Sequence, residues 1–271
     1  MIREEAEKYT IIRVPCGSTL PGLNIPGKDD RDEMGVCIEP IKNAMGFSEF
    51  EQYIYRSAAE REGRNDAPSQ PGDLDLTIYS LRKFLRLAMQ GNPQLVQVFF
   101  VPQSMWVAGD ARGAHLQELA PLVISRQAGF RYLGYLEAQR QRLLGERGQK
   151  KVNRPELEEK YGFDTKYAMH ILRLGFQGVE LLLTGKLSFP MPEQERAFCY
   201  ATRLGEVPLN DVLTKAGELE RDIKDLITNG PLRDKPAVDE IEAWMCDRYL
   251  QNWKARDVLN TQLDDVVMGR N

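Results

Sequence analysis

The apolar residues change rhythm near residue 115, and that change constrains the fold more than any other feature of the chain. Before it, apolar and β-branched residues come in short runs: TIIRVP (10–15), MGVCIEP (34–40), LDLTIYS (74–80) and LVQVFFVP (95–102). Runs of this length and makeup read as strands. Between the last two, Leu81, Phe84, Leu85, Ala88 and Met89 recur at the spacing of one helix face, and Gly91 with Pro93 ends the pattern. Residues 48–63 read as a further helix, and the polar stretch AEREGRNDAPSQPGD (59–73) as a loop. Beyond residue 115 the reading is helical, with amphipathic stretches near 116–128, 129–145, 154–160, 164–185, 192–203, 208–228 and 236–254. The expected fold class is α+β: a small mixed-sheet domain over residues 1–115 followed by an α-helical domain over 116–271.

Composition excludes several classes of function. At 42% hydrophobic and 28% charged residues the chain is an ordinary globular one. No run of 18 apolar residues occurs, so no membrane span is expected. The first residues, MIREEAEKY, lack the apolar centre of a signal peptide, and cytoplasmic residence is the expectation. The four cysteines form no C-x-x-C pair and only two histidines are present, which argues against a structural zinc site and for free thiols. A net charge of −4 argues against a general nucleic-acid coating protein but leaves room for a local basic patch.

The chemistry lies between the first two strands. Gly17-Ser18 follows TIIRVPC directly, where a glycine turn lets backbone N–H groups approach a phosphate and the serine hydroxyl adds a donor. Four acids, Asp29, Asp30, Asp32 and Glu33, then fall within five residues. Asp30 and Asp32 are two apart, so at the start of a strand their side chains point the same way. Two carboxylates so placed can hold a pair of Mg²⁺ ions roughly 3.5–4 Å apart. Asp75, at the opening of LTIYS, is positioned to be the third ligand, ahead of Asp73. Asp29 and Glu33 read as solvent-facing or loop-capping groups.

Taken together, GST-x-x-G and DDRDEMGV resemble the signature of nucleotidyltransferases of the DNA polymerase beta superfamily: Gly-Ser after a strand, Asp-x-Asp, then a third Asp on a later strand. The resemblance is closer to the branch that includes the RNA-repair-associated polymerase-beta-like proteins. In that branch a Gly-Val strand, here Gly35-Val36, follows the acids, and segments like DLTIYSLRKFLRLAMQGNP and YGFDTKYAMHILRLGFQGVELLLTG come later. It covers most of the chain up to about residue 205. The resemblance implies a polymerase-beta-like first domain and metal-dependent transfer of a nucleoside monophosphate from a nucleoside triphosphate. It puts the triphosphate loop at Gly17 and Ser18 and the metal ligands at Asp30, Asp32 and Asp75. The chain departs from the superfamily between Ser18 and the acids, where Pro21, Pro26 and Lys28 stand in place of a short helix with Ala-Arg-Gly.

Residues 164–183 add an argument from spacing. Lys166, His170, Arg173, Gln177 and Glu180 make one narrow polar seam between apolar stripes. Such a seam reads as a cleft wall whose cations suit phosphates, and the resembling family has Lys-x-x-x-His-x-x-Arg at the same place. The alternative is an internal ion-pair ladder in which Glu180 meets Arg173 or Lys166. His170 reads either as a base for an acceptor hydroxyl or as a core histidine. His115 sits in a Gly/Ala-rich stretch read as loop, without a role. Lys83 could face phosphates, although Arg82, Lys83 and Arg86 read more simply as a solvated helix face. Eight Arg and Lys within 126–154, with Phe130, Tyr132 and Tyr135 among them, read equally as a single-stranded nucleic-acid site or as a solvated helix and linker. The acceptor stays open among an RNA 3′ end, a protein hydroxyl and a small molecule. A nucleotide-binding or RNA-binding protein without turnover is the rival reading, and the oligomeric state is open.

Overall fold

The computed structural model describes residues 1–25, 30–47, 49–145 and 154–255. Five strands form one mixed sheet: β1 (Thr10–Pro15), β2 (Arg31–Cys37), β3 (Gln52–Arg56), β4 (Leu74–Ser80) and β5 (Ala108–Gly109), in the order β3-β4-β2-β1-β5. β2 and β4 are parallel and the other pairs antiparallel. The helices before residue 124 are short: α1 (Arg3–Lys8), α2 (Ile41–Ala44), α3 (Ser57–Glu62), α4 (Leu81–Met89), α5 (Pro93–Val96), α6 (Ala111–Gln117) and α7 (Ala120–Val123). Those that follow are α8 (Gln127–Leu143), α9 (Pro155–Tyr161), α10 (Thr165–Thr184), α11 (Glu193–Leu204), α12 (Leu209–Asn229) and α13 (Val238–Ala255), all but α9 longer than the earlier ones. The fold is α+β, and among the described residues no helix is long and apolar enough to cross a membrane.

The three runs 10–15, 34–40 and 74–80 contribute to strands, but LVQVFFVP does not. Asn92 caps the chain there, its side chain accepting from the Gln94 N–H at 3.0 Å, and Pro93 takes the first helical position. The segment turns as α5 and a 3₁₀ turn over Gln97–Phe100. Leu95, Val96, Val98, Phe99 and Val101 are all buried, and a run buried on every side carries no period that separates strand from helix. The helix expected over 48–63 is instead strand β3 followed by α3, because Gln-Tyr-Ile-Tyr-Arg pairs along β4. The helix expected over 116–128 is divided: Asp110 caps α6 earlier, and α7 begins around Pro121. His115 therefore stands in α6 rather than in a loop.

The largest core cluster joins sheet residues Ile12, Val14 and Val36 to helix residues Ile171, Leu174, Ile223 and Trp253. A separate cluster of Cys37, Phe50, Leu74, Leu76 and Ile78 includes the buried positions of β4. Helix α10 is the axis of the helical part and packs on α8, α11 and α12. Close contact there depends on Gly175, where a Cβ would come within 2.7 Å of Leu219. The start of α10 is fixed by buried Asp164, which accepts from the N–H groups of Lys166 (2.9 Å) and Tyr167 (3.1 Å).

Candidate active site

Strand β4 alternates strictly, with Leu74, Leu76 and Ile78 buried and Asp75, Thr77 and Tyr79 on the more open face. Asp32 of β2 is in register with Asp75, so both carboxylates stand on that face. Asp30, just before β2, supplies a third, and one oxygen from each of Asp30, Asp32 and Asp75 lies within 4.8 Å of the others. Backbone bonds hold this frame: Arg31 N–H to the Asp73 carbonyl (2.7 Å) and Cys16 N–H to the Asp32 carbonyl (2.9 Å).

Three like charges at this spacing oppose one another. Burial first, then Asp30 and Asp75, push the Asp32 carboxyl up to about 6, against the pull of Lys166 and Arg173. The donor set is all carboxylate oxygen, which suits a hard divalent cation, and such a cation would remove the repulsion. The three aspartates could therefore hold metal.

The glycine turn belongs to the same site. Gly17 has φ +64°, and a Cβ there would lie 2.1 Å from Asp32 Oδ2. Only glycine satisfies both conditions. Ser18 follows, its carbonyl accepting from Leu23 N–H at 2.9 Å, and buried Leu20 and Leu23 anchor the loop. From α10, Arg173 Nη1 donates to the Gly17 carbonyl at 2.7 Å. Arg173 is thus a brace behind the turn as well as a charge beside Asp32. Lys166 and Arg173 both lower the Asp32 pKa. His170 is held well below its usual range by burial and then by Arg173, Lys166, Arg154 and Arg203, so its imidazole is neutral near pH 7.

The rest of the seam is divided: Gln177 is buried, while Glu180 stays partly exposed, its Oε1 accepting from the Ser188 N–H at 2.9 Å. Glu33 is not solvent-facing. It is 3% exposed and ion-paired to Arg13 and to Arg31 (3.0 Å), because strand alternation sends it to the face opposite Asp32. Pro26, Lys28 and Asp29 lie outside the described residues. Lys83 and Arg86 share Glu51, and Arg82 pairs with Glu49. Much of the 126–154 patch is committed internally: Arg126 to Asp234, Arg140 to Glu220 and Arg154 to Asp164. Tyr132 is fully buried, while Phe130 and Tyr135 are exposed. Arg147, Lys150 and Lys151 of that patch lie outside the described residues.

A family model described as RlaP, the RNA repair pathway DNA polymerase beta family, matches residues 1–247. The chain belongs to this family. No curated protein matches it. Among solved structures, a nucleotidyltransferase-like protein from Exiguobacterium sibiricum 255-15 is similar at 12% identity, with a TM-score of 0.29, over 83% of this chain and 70% of that one.

In this RlaP-family chain two groups at the triad were missed from sequence. Arg56 Nε reaches both oxygens of Asp75 at 3.3 and 3.4 Å, and Ser69 Oγ donates to Asp75 Oδ2 at 3.2 Å. The same guanidinium donates to the carbonyls of Asn65 (2.7 Å) and Ala67 (3.0 Å) and to Ser69 Oγ (2.9 Å). It straps the loop that follows α3 to the third acid. The one available signal was the Tyr-Ile-Tyr alternation before Arg56, which places that residue beside Asp75 once it is read as a strand.

Proposed function

We propose that this RlaP-family chain is a metal-dependent nucleotidyltransferase. It moves a nucleoside monophosphate from a nucleoside triphosphate to an acceptor hydroxyl and releases pyrophosphate. The observation that carries this reading is the convergence of Asp30, Asp32 and Asp75, within 4.8 Å, beside a turn that only glycine can make. Asp30 and Asp32 would hold two Mg²⁺ ions and Asp75 the one nearer the acceptor. Bound there, Mg²⁺ supplies Lewis-acid stabilisation of phosphoryl charge and lowers the pKa of the attacking hydroxyl.

The protein's own groups position the reactants. Gly17 and Ser18 hold the β and γ phosphates with backbone N–H and hydroxyl donors. Lys166 and Arg173 balance the charge of the triphosphate, and Arg173 keeps the turn in place through the Gly17 carbonyl. His170, neutral, adds hydrogen bonding on the triphosphate side without adding charge. Residues 1–115 carry the acids, and 116–271 complete the cleft with α10. The four free cysteines support a reducing, cytoplasmic setting.

The test is incubation with each labelled NTP, Mg²⁺ and a cell extract, following pyrophosphate release and the fate of the label. Wild type labels an acceptor, and Asp30→Asn and Asp32→Asn lower the rate by more than about a thousandfold while leaving a folded protein. Transfer that survives both substitutions removes the metal-site assignment. NTP binding without pyrophosphate release would favour a binding protein that does not turn over.

A further inference from the structure

A cavity of about 480 Å³ lies between α6 and α13, at the other end of β2 from the three aspartates. Ile38, just past β2, forms an apolar wall, and Asp110, Arg112, Arg248, Gln251 and Asn252 line the rest together with Ala255. Asp30 and Asp32 stand where the same strand begins. At about 3.3 Å per residue, β2 puts Asp32 and Ile38 about 20 Å apart. None of the residues around the cavity lines the cleft at the triad.

The hydrogen bonds around the cavity leave donors over. Arg112 is engaged on two sides: Nε and Nη2 fork onto Asp110 at 3.1 and 2.6 Å, and Nη1 donates to Asn252 Oδ1 at 2.6 Å. That last bond fixes the Asn252 carboxamide. With its oxygen toward a guanidinium, its Nδ2 faces the other way. Among the described residues Nδ2 donates to nothing, although Asn252 is only 7% exposed and lines the cavity. A buried amide donor without an acceptor is unfavourable, and an acceptor held in the cavity relieves it. Arg248 stands one turn before Asn252 on the same face of α13. Its Nη2 donates to Asp247 at 2.5 Å, and its buried Nε has no partner. Gln251 Nε2 donates to Asp247 as well (2.8 Å), which leaves Gln251 Oε1 as an acceptor.

These groups define the ligand. Among the charges lining the cavity, Asp110 and Arg112 cancel, and Arg248 remains. Asp247, which is outside the lining, meets only the Nη2 side of Arg248. The donors come from two helices, Arg248 and Asn252 from α13 and the remaining Nη hydrogens of Arg112 from α6. A tetrahedral oxyanion offers oxygens in several directions and suits them better than a planar carboxylate does. The volume is that of a small-molecule site and has room for an organic body beside the anion.

We propose that this cavity is a second ligand site, separate from the reaction proposed above, and that it takes a small phosphate monoester. The phosphoryl oxygens meet Arg248, Asn252 and Arg112. The organic body lies against Ile38, with Gln251 accepting from its hydroxyl groups. A ligand held this way clamps α13 to α6.

The test is calorimetric titration of the full chain with ribose 5-phosphate, set beside inorganic phosphate and malonate. Ribose 5-phosphate is expected to bind and to raise the melting temperature. Asn252→Asp keeps an acceptor for Arg112 but puts a carboxylate where the free donor was. Arg248→Gln, at a partly exposed side chain, removes the remaining charge and leaves the core alone. Each should weaken binding roughly tenfold or more. Lys166→Ala, on the triphosphate side of the aspartate site, should leave the affinity unchanged. Binding lost in Lys166→Ala and kept in Asn252→Asp and Arg248→Gln would put the ligand at the aspartates and overturn the proposal. No binding at up to about 10 mM overturns it too, as does inorganic phosphate or malonate binding as tightly as ribose 5-phosphate.

Discussion

Two sets of aspartates, one at each end of the same backbone junction, have opposite fates. Asp73 accepts from Arg61 (2.6 Å), from Ser57 (2.9 Å) and from the Gln70 N–H (2.7 Å), and these hold its carboxyl down at about 2. Asp32 is raised to about 6 by burial and by two further carboxylates. The two are a strand's pairing apart, for Asp73 precedes β4 and its carbonyl receives the N–H that opens β2. The protein closes the charge of one with three donors and sets the other where burial and like charges outweigh the pull of Lys166 and Arg173. A carboxylate satisfied internally closes a turn. A carboxylate kept in repulsion costs stability, and a cation bound from outside would relieve it.

The sharpest way to break this contrast is to neutralise each acid in the metal-free protein. Asp32→Asn removes a repelled, half-buried charge and should raise the melting temperature. At about 1.4 kcal/mol per pH unit, discounted for solvent screening, the gain is on the order of 1–2 kcal/mol, or a few degrees. Asp73→Asn removes the charge paired with Arg61 and leaves one acceptor oxygen for donors that now meet two, and it should lower the melting temperature. Millimolar Mg²⁺ or Mn²⁺ should reverse the order for the triad by raising the wild-type melting temperature and leaving Asp32→Asn unmoved. A fall in stability for metal-free Asp32→Asn would show that the triad is satisfied without a cation.

The same pair sets a pH dependence of two signs. Between about pH 4 and 6 the folded chain holds a proton at Asp32 that the unfolded chain has lost, so this contribution is present at low pH and is lost as pH rises through about 6. Asp73 behaves oppositely: its contribution is full above about pH 4 and is lost as pH falls through about 2. Urea midpoints of the metal-free protein should therefore fall between about pH 4 and 6, and Asp32→Asn should flatten that slope while keeping the loss in acid. An unchanged slope in Asp32→Asn would assign it elsewhere.

What the sequence disclosed follows the same division. Asp30, Asp32 and Asp75 could be read as converging because strand spacing fixes the direction of a side chain, and Gly17 because a turn follows the first strand. Glu33 was misjudged because its partner Arg13 comes from another strand, and pairing across strands is not local information. Arg56 was lost with β3, whose five residues were merged into the helix that follows. The run 95–102 failed for another reason: apolar on every side, it has no period, and only the cap at Asn92 distinguishes it.

The smallest effect sharpens the contrast inside the triad itself, because Asp75 has partners of its own. Arg56 and Ser69 hold its oxygens while the strap carries the 65–69 loop. Arginine's planar fork does this from several directions at once, and lysine cannot. Arg56→Lys should keep the fold and the charge but release the loop and loosen Asp75, weakening Mn²⁺ binding by roughly three- to tenfold in titration calorimetry, in the lower range for a group that orients a ligand. Limited proteolysis should show faster cleavage between Gly63 and Gly72 in the same variant. Ser69→Ala removes one of the contacts to Asp75 and should do less of both. If Arg56→Lys opens the loop to protease and leaves Mn²⁺ affinity unchanged, the strap serves the loop alone, and Asp75 is held by the pairing of β2 with β4.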